Sequence, residues 1–329
     1  MVPFSAVRVQ VFQLASSSSI YLNMLNFEFY ELDIFENYVK AGRIASEVRE
    51  YARIQDHTGR TLSDICNDVE QEIFKKGGEP AFPVNVSLND IAAHYTAVPN
   101  DPITVKNSDV LKIDVGVHID GYIADTAVTV SYDARYQNLI EIAQKALDEA
   151  ISIARSNTRV SDIGRIIEKT ITKYGCKPIQ NLSGHSLERY TIHAGKSIPN
   201  IWTIGHSFNL SINNVYAIEP FVTTKDGQGI VYEGRVRNIY GLASRKRTKD
   251  QKLDEFLEYL WNKFKTLPFA LRWIVKEYEE KEALSFIETL IKKKNVHAYP
   301  ILVEGANRIV VQAEHTIIPQ ESNTITITK

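Results

Sequence analysis

The stretch Leu-Lys-Ile-Asp-Val-Gly-Val-His-Ile-Asp-Gly-Tyr-Ile-Ala-Asp-Thr, residues 111–126, predicts a β-hairpin that carries two aspartates. The Asp-Gly pair at 120–121 is a strong signal for a two-residue turn between two strands. With that turn, Asp125 faces Gly116, and Asp114 is the diagonal neighbour of Asp125 on the same face. We expect Gly116 to leave the space between the two carboxylates empty. Two such carboxylates would repel each other, so the pattern predicts a bound cation, most simply a metal ion.

The composition of the chain is that of an ordinary soluble globular protein. Its 329 residues are 44% hydrophobic and 24% charged, enough for one large domain or two smaller ones. A net charge of −2 argues against a surface that binds nucleic acids or membranes in general, and no apolar run is long enough to span a bilayer. The two cysteines, Cys66 and Cys176, form no disulfide framework and suit a reducing compartment. We therefore expect a cytoplasmic protein whose partners include neither a membrane nor a specific nucleic acid.

The first 23 residues differ from the rest of the chain. They carry one charge, Arg8, and four consecutive serines at 16–19, and they lack the basic start and unbroken apolar core of a signal peptide. Met24 is the one methionine besides Met1, and an amphipathic helix is predicted soon after it. We expect residues 1–23 to be a flexible or loosely packed extension. We also hypothesise that a chain that starts at Met24 folds and functions without them.

The order of predicted helices and strands is similar in the two halves of the chain. Two helices precede the hairpin, with the irregular segment 81–108 between them and the hairpin, and two helices precede a second strand that ends in a carboxylate. The predicted helices cover 36–56, the segment from its N-cap Ser63 to Gly77, 136–155 and 161–174. The repeated order indicates an internal duplication, with a functional site between the halves.

Residues 241–295 interrupt this order. They begin with the basic run Ser-Arg-Lys-Arg-Thr-Lys at 244–249. The helical periods that follow are at 253–265, 269–278 and 281–294. We interpret the segment as a helical insertion subdomain within a catalytic domain formed by residues 24–240 and 296–329. The basic run is typical of a solvated linker, and a contact with ribosomal RNA or phosphate is the alternative.

Three further polar residues lie in segments that otherwise read as hydrophobic core. His185 lies in Ser-Gly-His-Ser, Glu219 in Ala-Ile-Glu-Pro, and Glu314 in Val-Gln-Ala-Glu-His. Charged side chains are seldom buried unless they are paired or bind a metal. With the two aspartates they make four carboxylates and one imidazole, a set that suits two divalent ions such as Co²⁺, Mn²⁺, Fe²⁺ or Zn²⁺. Two such ions ~3.5–4 Å apart can lower the pKa of a shared water, and Asp125 and Glu314 are candidates to bridge them.

From about residue 27 to its end, the chain resembles the methionine aminopeptidases, and among them the short form of the type 2 branch. Five groups of motifs and the helical insertion carry the resemblance, and together they are highly specific. The motifs are Ala-Phe-Pro at 81–83 with Ala-Ala-His-Tyr-Thr at 92–96, Ile-Asp-Val-Gly at 113–116 with Ile-Ala-Asp-Thr at 123–126, Gly-His-Ser-Leu-Glu-Arg-Tyr-Thr-Ile-His-Ala-Gly at 184–195, Ala-Ile-Glu-Pro-Phe at 217–221 and Gln-Ala-Glu-His-Thr at 312–316. The resemblance implies an α+β fold of the pita-bread type with pseudo-twofold duplicated halves.

The resemblance also implies roles for individual residues. The implied metal ligands are Asp114, Asp125, His185, Glu219 and Glu314. Among them, Glu219 also relays a proton; His94 contacts the scissile amide or the substrate amine, and His193 binds the substrate carbonyl. The implied methionine pocket is formed by Phe82, Ile192, His193, Phe221 and Tyr299. His315 adjoins a ligand and is expected to orient it, whereas His206 and His297 receive no role.

The implied function is removal of the initiator methionine from nascent chains whose second residue is small. The expected partners are nascent N-termini, with a transient ribosome contact as a possibility. Two alternatives remain: a proline-directed dipeptidase or aminopeptidase with the same fold and ligand set, and a relative that has lost the metal and binds RNA or protein. The segment 184–195 and the insertion argue against the first alternative. The presence of all five ligands argues against the second.

Overall fold

Short strands and seven helices surround one long hairpin in the part of the chain that the structure describes. The computed structural model describes residues 18–204 and 208–329, with side chains from Leu32 onward. The helices are α1 Ser18–Ile54, α2 Leu62–Lys75, α3 Gln137–Ile153, α4 Val160–Lys173, α5 Gln251–Phe264, α6 Leu271–Ile274 and α7 Glu280–Lys292. The strands are β1 Glu79–Pro80, β2 Asn85–Leu88, β3 Ile91–Ala93, β4 Val110–Ile119, β5 Tyr122–Ser131, β6 Lys177–Pro178, β7 Ser183–Leu187, β8 Ser197–Pro199, β9 Val215–Ile218, β10 Phe221–Thr223, β11 Val231–Glu233, β12 Ile239–Leu242, β13 Phe269–Ala270, β14 Val296–Tyr299, β15 Leu302–Glu304, β16 Val310–Gln312, β17 His315–Pro319 and β18 Thr324–Thr326.

The hairpin β4–β5 has the predicted register. Gly116 lies opposite Asp125. Asp120 and Gly121 have φ angles of 49° and 84°, as a two-residue turn of type I′ requires. Helices α1 and α2 pack against the hairpin, and their apolar side chains share one buried cluster with those of β4. The hairpin prediction is confirmed.

A second pair of helices, α3 and α4, packs on a second set of strands. Their apolar faces form a separate buried cluster with side chains from β9, β16 and β17. In this half β9 lies between β7 and β17, with Tyr216 paired to both Ser186 and Ile317. Each half therefore repeats the same arrangement, two helices on a group of antiparallel strands, as the duplicated order in the sequence predicts.

Threonine hydroxyls join the two halves along the inner edge of β5. Thr129 Oγ1 donates to the carbonyl of Gln312 at 2.7 Å and accepts from its amide at 2.8 Å. Thr316 Oγ1 does the same for Asp125, with distances of 2.7 and 2.8 Å. Because these bonds satisfy both backbone groups of each partner, they fix the strand that carries Asp125 beside the segment that carries Glu314.

The predicted insertion contains helices α5, α6 and α7 around a hydrophobic cluster of its own. The chain enters it through β12 and leaves it through β14, and these strands pair with Ile239 opposite Tyr299. Strand β13 pairs with the other edge of β12, so that Ile239 also faces Ala270. The division of the chain into domains at 241 and 295 stays a prediction.

Several local predictions need correction. The N-cap of α2 is Thr61, not Ser63, because the Thr61 hydroxyl accepts the free amide of Asp64 at 3.0 Å. The predicted helix at 269–278 is instead strand β13 and one helical turn, since Phe269 and Ala270 pair with β12. The segment 81–108 contains strands β2 and β3.

The N-terminal prediction is tested only in part. Helix α1 begins at Ser18, before the predicted start at 36, and includes residues 18–23 of the predicted extension. Residues 1–17 lie outside the described part of the chain. Among the described helices, none combines the length and the apolar character that a membrane span needs.

Candidate metal centre

One cavity collects the predicted ligands from both halves of the fold. Its volume is about 70 Å³. Its wall includes the predicted ligands Asp114, Asp125, His185, Glu219 and Glu314. It also includes the predicted substrate-binding residues Phe82, His94, Ile192, His193 and Tyr299. Ligands that are up to 200 positions apart in the chain therefore meet at one site, as expected if the site lies between duplicated halves.

The first half supplies two carboxylates from the hairpin. Asp114 lies opposite Ala127 and Asp125 opposite Gly116, which places both aspartates on one face, two residues apart across the strands. The prediction that the space beside Gly116 is empty is wrong, because the ring of Phe82 fills it. A Cβ built on Gly116 would lie 2.2 Å from Phe82 Cε1. Glycine is needed here because the aromatic ring packs directly on the backbone between the two aspartates.

The second half supplies two glutamates that face each other. They lie at a break between two stretches of strand pairing, β9 with β17 and β10 with β16. His315 pairs with Ile218 on one side of the break, and Gln312 pairs with Phe221 on the other. The register is the same on both sides, so Glu219 stands directly opposite Glu314. Where pairing stops, neither residue is held in a regular strand, and both side chains are free to turn into the cavity.

Gln312 connects these two glutamates, although the sequence predicts no role for it. Its Nε2 donates to Glu219 Oε2 and to Glu314 Oε2, each at 3.3 Å. The side chain is 2% exposed, so both bonds are shielded from water. A signal was present in the sequence, since Gln312 precedes Glu314 by two positions and thus shares its face of an extended segment.

His185 lies close to a predicted ligand from each half of the fold. Its Nε2 lies 3.6 Å from Asp125 Oδ2 and 3.7 Å from Glu219 Oε1. Gly184 lets β7 come this close, because a Cβ there would lie 2.2 Å from the carbonyl oxygen of Ala217 on β9. Potential ligand atoms of Asp125, His185 and Glu314 all lie within 4.8 Å of one another, a spacing that one metal ion can span.

Burial of these groups makes their charged forms costly without a cation. It raises the pKa of Asp114 to about 7. It raises the pKa of Asp125 well above its usual value, and the charges of Asp114 and Glu219 raise that pKa further. The carboxyl pKa values of Glu219 and Glu314 are raised for the same reason, burial first and neighbouring carboxylates second. A bound divalent cation reverses this balance, because it favours the ionised carboxylates.

Buried carboxylate oxygens without hydrogen-bond partners are a second observation that indicates a metal site. Asp114 Oδ1, Asp125 Oδ1 and Glu314 Oε1 are buried and have no hydrogen-bond partner within the described residues. Buried polar atoms are almost always satisfied, so three orphaned carboxylate oxygens in one cavity indicate a missing partner. His185 stays a neutral donor, because burial lowers its pKa well below 6.5 and His193 adds to that effect. Carboxylate oxygens with one neutral imidazole match hard or borderline divalent ions.

Two further histidines lie in the cavity wall, as predicted. The ring of His193 packs edge-on against that of His185, with centroids 4.5 Å apart. His94 adopts a left-handed backbone with φ of 67°, a strained conformation for a residue with a side chain. Its Nδ1 lies 3.3 Å from the carbonyl of Pro300. Burial lowers the pKa of both rings, that of His193 to about 4, so both are neutral near pH 7.

Neither His315 nor His297 forms a hydrogen bond with a predicted ligand among the described residues. The ring of His315 contacts Arg49 and Thr328, each at 3.0 Å, and none of its hydrogen bonds within the described part reaches Glu314. Its predicted role in orienting that ligand therefore has no direct contact to support it. His297 packs against Tyr299, with ring centroids 4.5 Å apart. His206 lies outside the described residues.

The apolar side of the cavity differs from the predicted pocket at its rim. Phe82, Ile192 and Tyr299 lie in the wall as expected, and Ile239 and Pro268 join them without having been predicted. Ala93 and Asn85 complete the wall. Phe221 is not brought to the wall: its side chain is buried in a separate cluster with Ile179 and Val231. Its role in the pocket stays a prediction.

Comparison with known proteins assigns the chain to a class of metallopeptidases. Metallopeptidase family M24 matches residues 36–237, and the chain belongs to this family. A methionine aminopeptidase of Pyrococcus abyssi is 44% identical over 291 residues, which are 88% of this chain and 98% of that protein. Within the metallopeptidase family, the chain therefore belongs to the methionine aminopeptidases, and it is a metal-dependent aminopeptidase.

Solved structures agree with this assignment at the level of the fold. The structure of a thermophilic Arx1 has a TM-score of 0.75 and 18% identity, and the match covers 90% of each chain. The methionine aminopeptidase from Rickettsia prowazekii has a TM-score of 0.65 and 18% identity, covering 90% of this chain and 97% of that one. The α+β pita-bread fold predicted from the sequence is confirmed.

Proposed function

We propose that this chain removes the initiator methionine from the N-termini of nascent polypeptides by hydrolysis at a pair of divalent ions. One observation carries the proposal. The wall of the same cavity combines buried carboxylates and imidazoles with aliphatic and aromatic side chains that form an apolar recess. A peptide amide held across such a cavity has its N-terminal side chain in the recess and its scissile bond beside the ligands.

The proposed ligands are five of the polar residues of the cavity wall: Asp114, Asp125, His185, Glu219 and Glu314. Asp125, Glu314 and Asp114 would hold the ions through their carboxylate oxygens, together with His185 and Glu219. Co²⁺, Mn²⁺, Fe²⁺ and Zn²⁺ all accept this donor set. When bound, the ions polarise the scissile carbonyl and lower the pKa of a water molecule. Gln312 holds the two glutamates in place through the 3.3 Å hydrogen bonds that its side-chain amide donates to them.

The side chains around the ligands have separate roles in this proposal. Glu219 holds a proton during attack and passes it to the leaving amine, a role that its place in the cavity wall beside His185 supports. His193 is neutral near pH 7 and donates a ring N–H to the substrate carbonyl, where negative charge develops. His94, fixed by its contact to the Pro300 carbonyl, faces the amide nitrogen or the free amine of the substrate.

The recess suits an unbranched, polarisable side chain. Phe82, Ile192, Ile239 and Tyr299 surround it with aromatic edges and aliphatic groups, and Pro268 closes the rim. Thioethers pack well against aromatic edges and adapt to irregular apolar spaces. A small second residue in the substrate is part of the proposal, because a bulky one would crowd the site. A cytoplasmic location and a transient contact with the ribosome complete it.

Metal-titrated cleavage of two peptides tests this function. The metal-free chain is supplemented with Co²⁺, Mn²⁺, Fe²⁺ or Zn²⁺ and given Met-Ala-Ser or Ala-Pro. We expect release of free methionine from Met-Ala-Ser in proportion to bound metal, and little cleavage of Ala-Pro. Cleavage of Ala-Pro in preference to Met-Ala-Ser would replace the proposal by a proline-directed peptidase. Absence of cleavage with every metal would overturn enzymatic function.

A further inference from the structure

A buried polar network lies behind the pocket wall, outside the catalytic group. Its centre is an ion pair between Arg272 of the insertion and Glu70 of helix α2, in which the guanidinium donates to both carboxylate oxygens. Both residues are 5% exposed. Trp273 Nε1 adds a third donor to Glu70 Oε2 at 2.7 Å. The ion pair therefore joins the insertion to the first half of the chain.

The network continues into the segments that form the pocket. The amide of Val84 donates to Glu70 Oε1 at 3.1 Å. Arg272 Nη2 donates to Thr96 Oγ1 at 3.1 Å, and that hydroxyl donates to the carbonyl of Val84 at 2.8 Å. The side-chain amide of Asn238 donates to the carbonyl of Thr96. Four separate segments of the chain are thus tied to one buried pair.

Each of these four segments carries a residue of the pocket wall. Val84 follows Phe82 by two positions, and Thr96 follows His94 by two. Asn238 directly precedes Ile239, and Arg272 follows Pro268 by four positions. The wall residues concerned are Phe82, His94, Ile239 and Pro268. A shift at the ion pair would therefore move these wall residues relative to one another.

The choice of an ion pair at this place is informative. A buried pair gives little net stability compared with apolar residues of the same shape, so stability alone does not account for it. Directional bonds do, however, fix the relative position of the groups that they join. The bidentate geometry of Arg272 on Glu70 can be satisfied in only one arrangement of the insertion on helix α2.

We propose that Glu70 and Arg272 are positioning residues for the substrate pocket. They fix the separation between the rim of the insertion at Pro268 and the segments that carry Phe82 and His94. That separation sets the width of the recess and thereby its preference for methionine over a branched side chain. The inference rests on the proposed function, because it concerns the selectivity of that same site.

Steady-state kinetics of variants test this role. The variants are Arg272→Met, which removes the donors at similar length, and Arg272→Lys, which keeps the charge but loses the bidentate geometry. We expect Arg272→Met to raise KM for Met-Ala-Ser about tenfold and to lower kcat by a smaller factor, since His94 moves with the network while His193 and the five proposed ligands are not bonded to it. The preference for Met-Ala-Ser over Leu-Ala-Ser should fall about tenfold, within the range that pocket shape can give. Arg272→Lys should show the same changes to a smaller extent.

A matched control separates positioning from stability. Leu290→Ala removes a fully buried side chain from the core of the insertion but none of the hydrogen bonds of the network. It should lower the melting temperature and leave both KM and the preference for methionine unchanged. If Leu290→Ala changes selectivity as much as Arg272→Lys at equal loss of stability, or if Arg272→Lys retains wild-type KM and preference, the positioning role is wrong. Should Arg272→Met fail to fold, Arg272→Lys decides alone.

Hydrogen–deuterium exchange provides a readout that needs no turnover. Peptides that cover 81–97 should exchange faster in Arg272→Lys than in wild type, because the amide of Val84 loses a firmly held acceptor. Peptides that cover 160–173 in helix α4 should not change. Unchanged exchange in 81–97 would overturn the proposal. A wild-type chain without activity on Met-Ala-Ser would instead count against the proposed function, and the exchange data would still decide whether the pair positions these segments.

Discussion

His185 Nε2 lies 3.6 Å from Asp125 Oδ2, too far for a hydrogen bond and close enough for one cation to bind both atoms. The other oxygen of Asp125 is buried and has no hydrogen-bond partner among the described residues. Glu219 stands at a similar distance from the same nitrogen, 3.7 Å. The gap between these groups is where positive charge is needed, so substitutions around it should change metal content before they change the fold.

Asp125→Asn tests this directly. The amide keeps the shape of the side chain but removes a negative charge and one anionic donor. We expect the variant to fold, to retain much less metal per chain, and to lose activity on Met-Ala-Ser by several orders of magnitude. Circular dichroism, metal analysis and kinetics measure the three effects.

Asp120→Asn is the matched control on the same hairpin. Asp120 lies at the turn with φ of 49°, which asparagine also tolerates, and it bonds to Arg189 at the surface. This variant should keep both metal and activity. Near-wild-type activity in Asp125→Asn would mean that the site assignment is wrong.

His193→Ala separates a catalytic donor from a ligand. His193 packs against His185, but its proposed partner is the substrate carbonyl. We expect kcat to fall by roughly 10²–10³, as for loss of one donor to a developing oxyanion, with metal content unchanged. The measurement is metal per chain together with kcat. Loss of metal in this variant would show that His193 acts as a ligand instead.

The sequence was sufficient to predict the first half of the site. The Asp-Gly turn fixes the hairpin register, and the register alone places Asp125 opposite Gly116 with Asp114 on the same face. Glu219 and Glu314 were recognisable as charged residues in apolar segments. That they face each other was not, because it depends on two ladders that break at the same register, a tertiary feature without a local signal.

The apolar wall was harder to predict for the same physical reason. Ile239 and Pro268 reach the cavity only because the insertion folds back on the first half, through contacts such as Arg272 with Glu70. Neither residue has a periodicity that indicates a pocket. Phe82 was predicted, but its packing against the backbone of Gly116 was not, since glycine gives no sign of what fills the space beside it.

Gly116→Ala tests that packing. The added methyl group would meet the ring of Phe82 well inside contact distance, so the ring must move. Overpacking of this kind costs about 1–3 kcal/mol, and a displaced Phe82 should also raise KM for Met-Ala-Ser. Thermal unfolding and kinetics measure the two effects.

The double variant Gly116→Ala/Phe82→Leu tests whether the two positions interact. The smaller side chain leaves room for the methyl group, so the loss of unfolding free energy should be smaller than the sum of the two single losses. Additive losses would show that the ring and the glycine do not constrain each other.

The carboxylates make a final prediction about pH. In the metal-free chain burial raises the pKa of Asp114 from 3.8 to about 7, so the folded chain holds a proton that the unfolded chain has lost. The stability that this group contributes is fully present below about pH 4 and is lost as the pH rises through about 7. His185 is neutral near pH 7, since burial lowers its pKa well below 6.5.

Metal binding must displace these carboxyl protons, so affinity for the metal should rise with pH. The difference in melting temperature between metal-loaded and metal-free protein should therefore widen between pH 5 and pH 8, and calorimetry in buffers of different ionisation enthalpy should detect proton release on binding. Asp114→Asn removes one of the titrating groups and should make the widening smaller. A difference that stays constant with pH would mean that the carboxylates are already ionised in the metal-free site, held by cations from the protein itself.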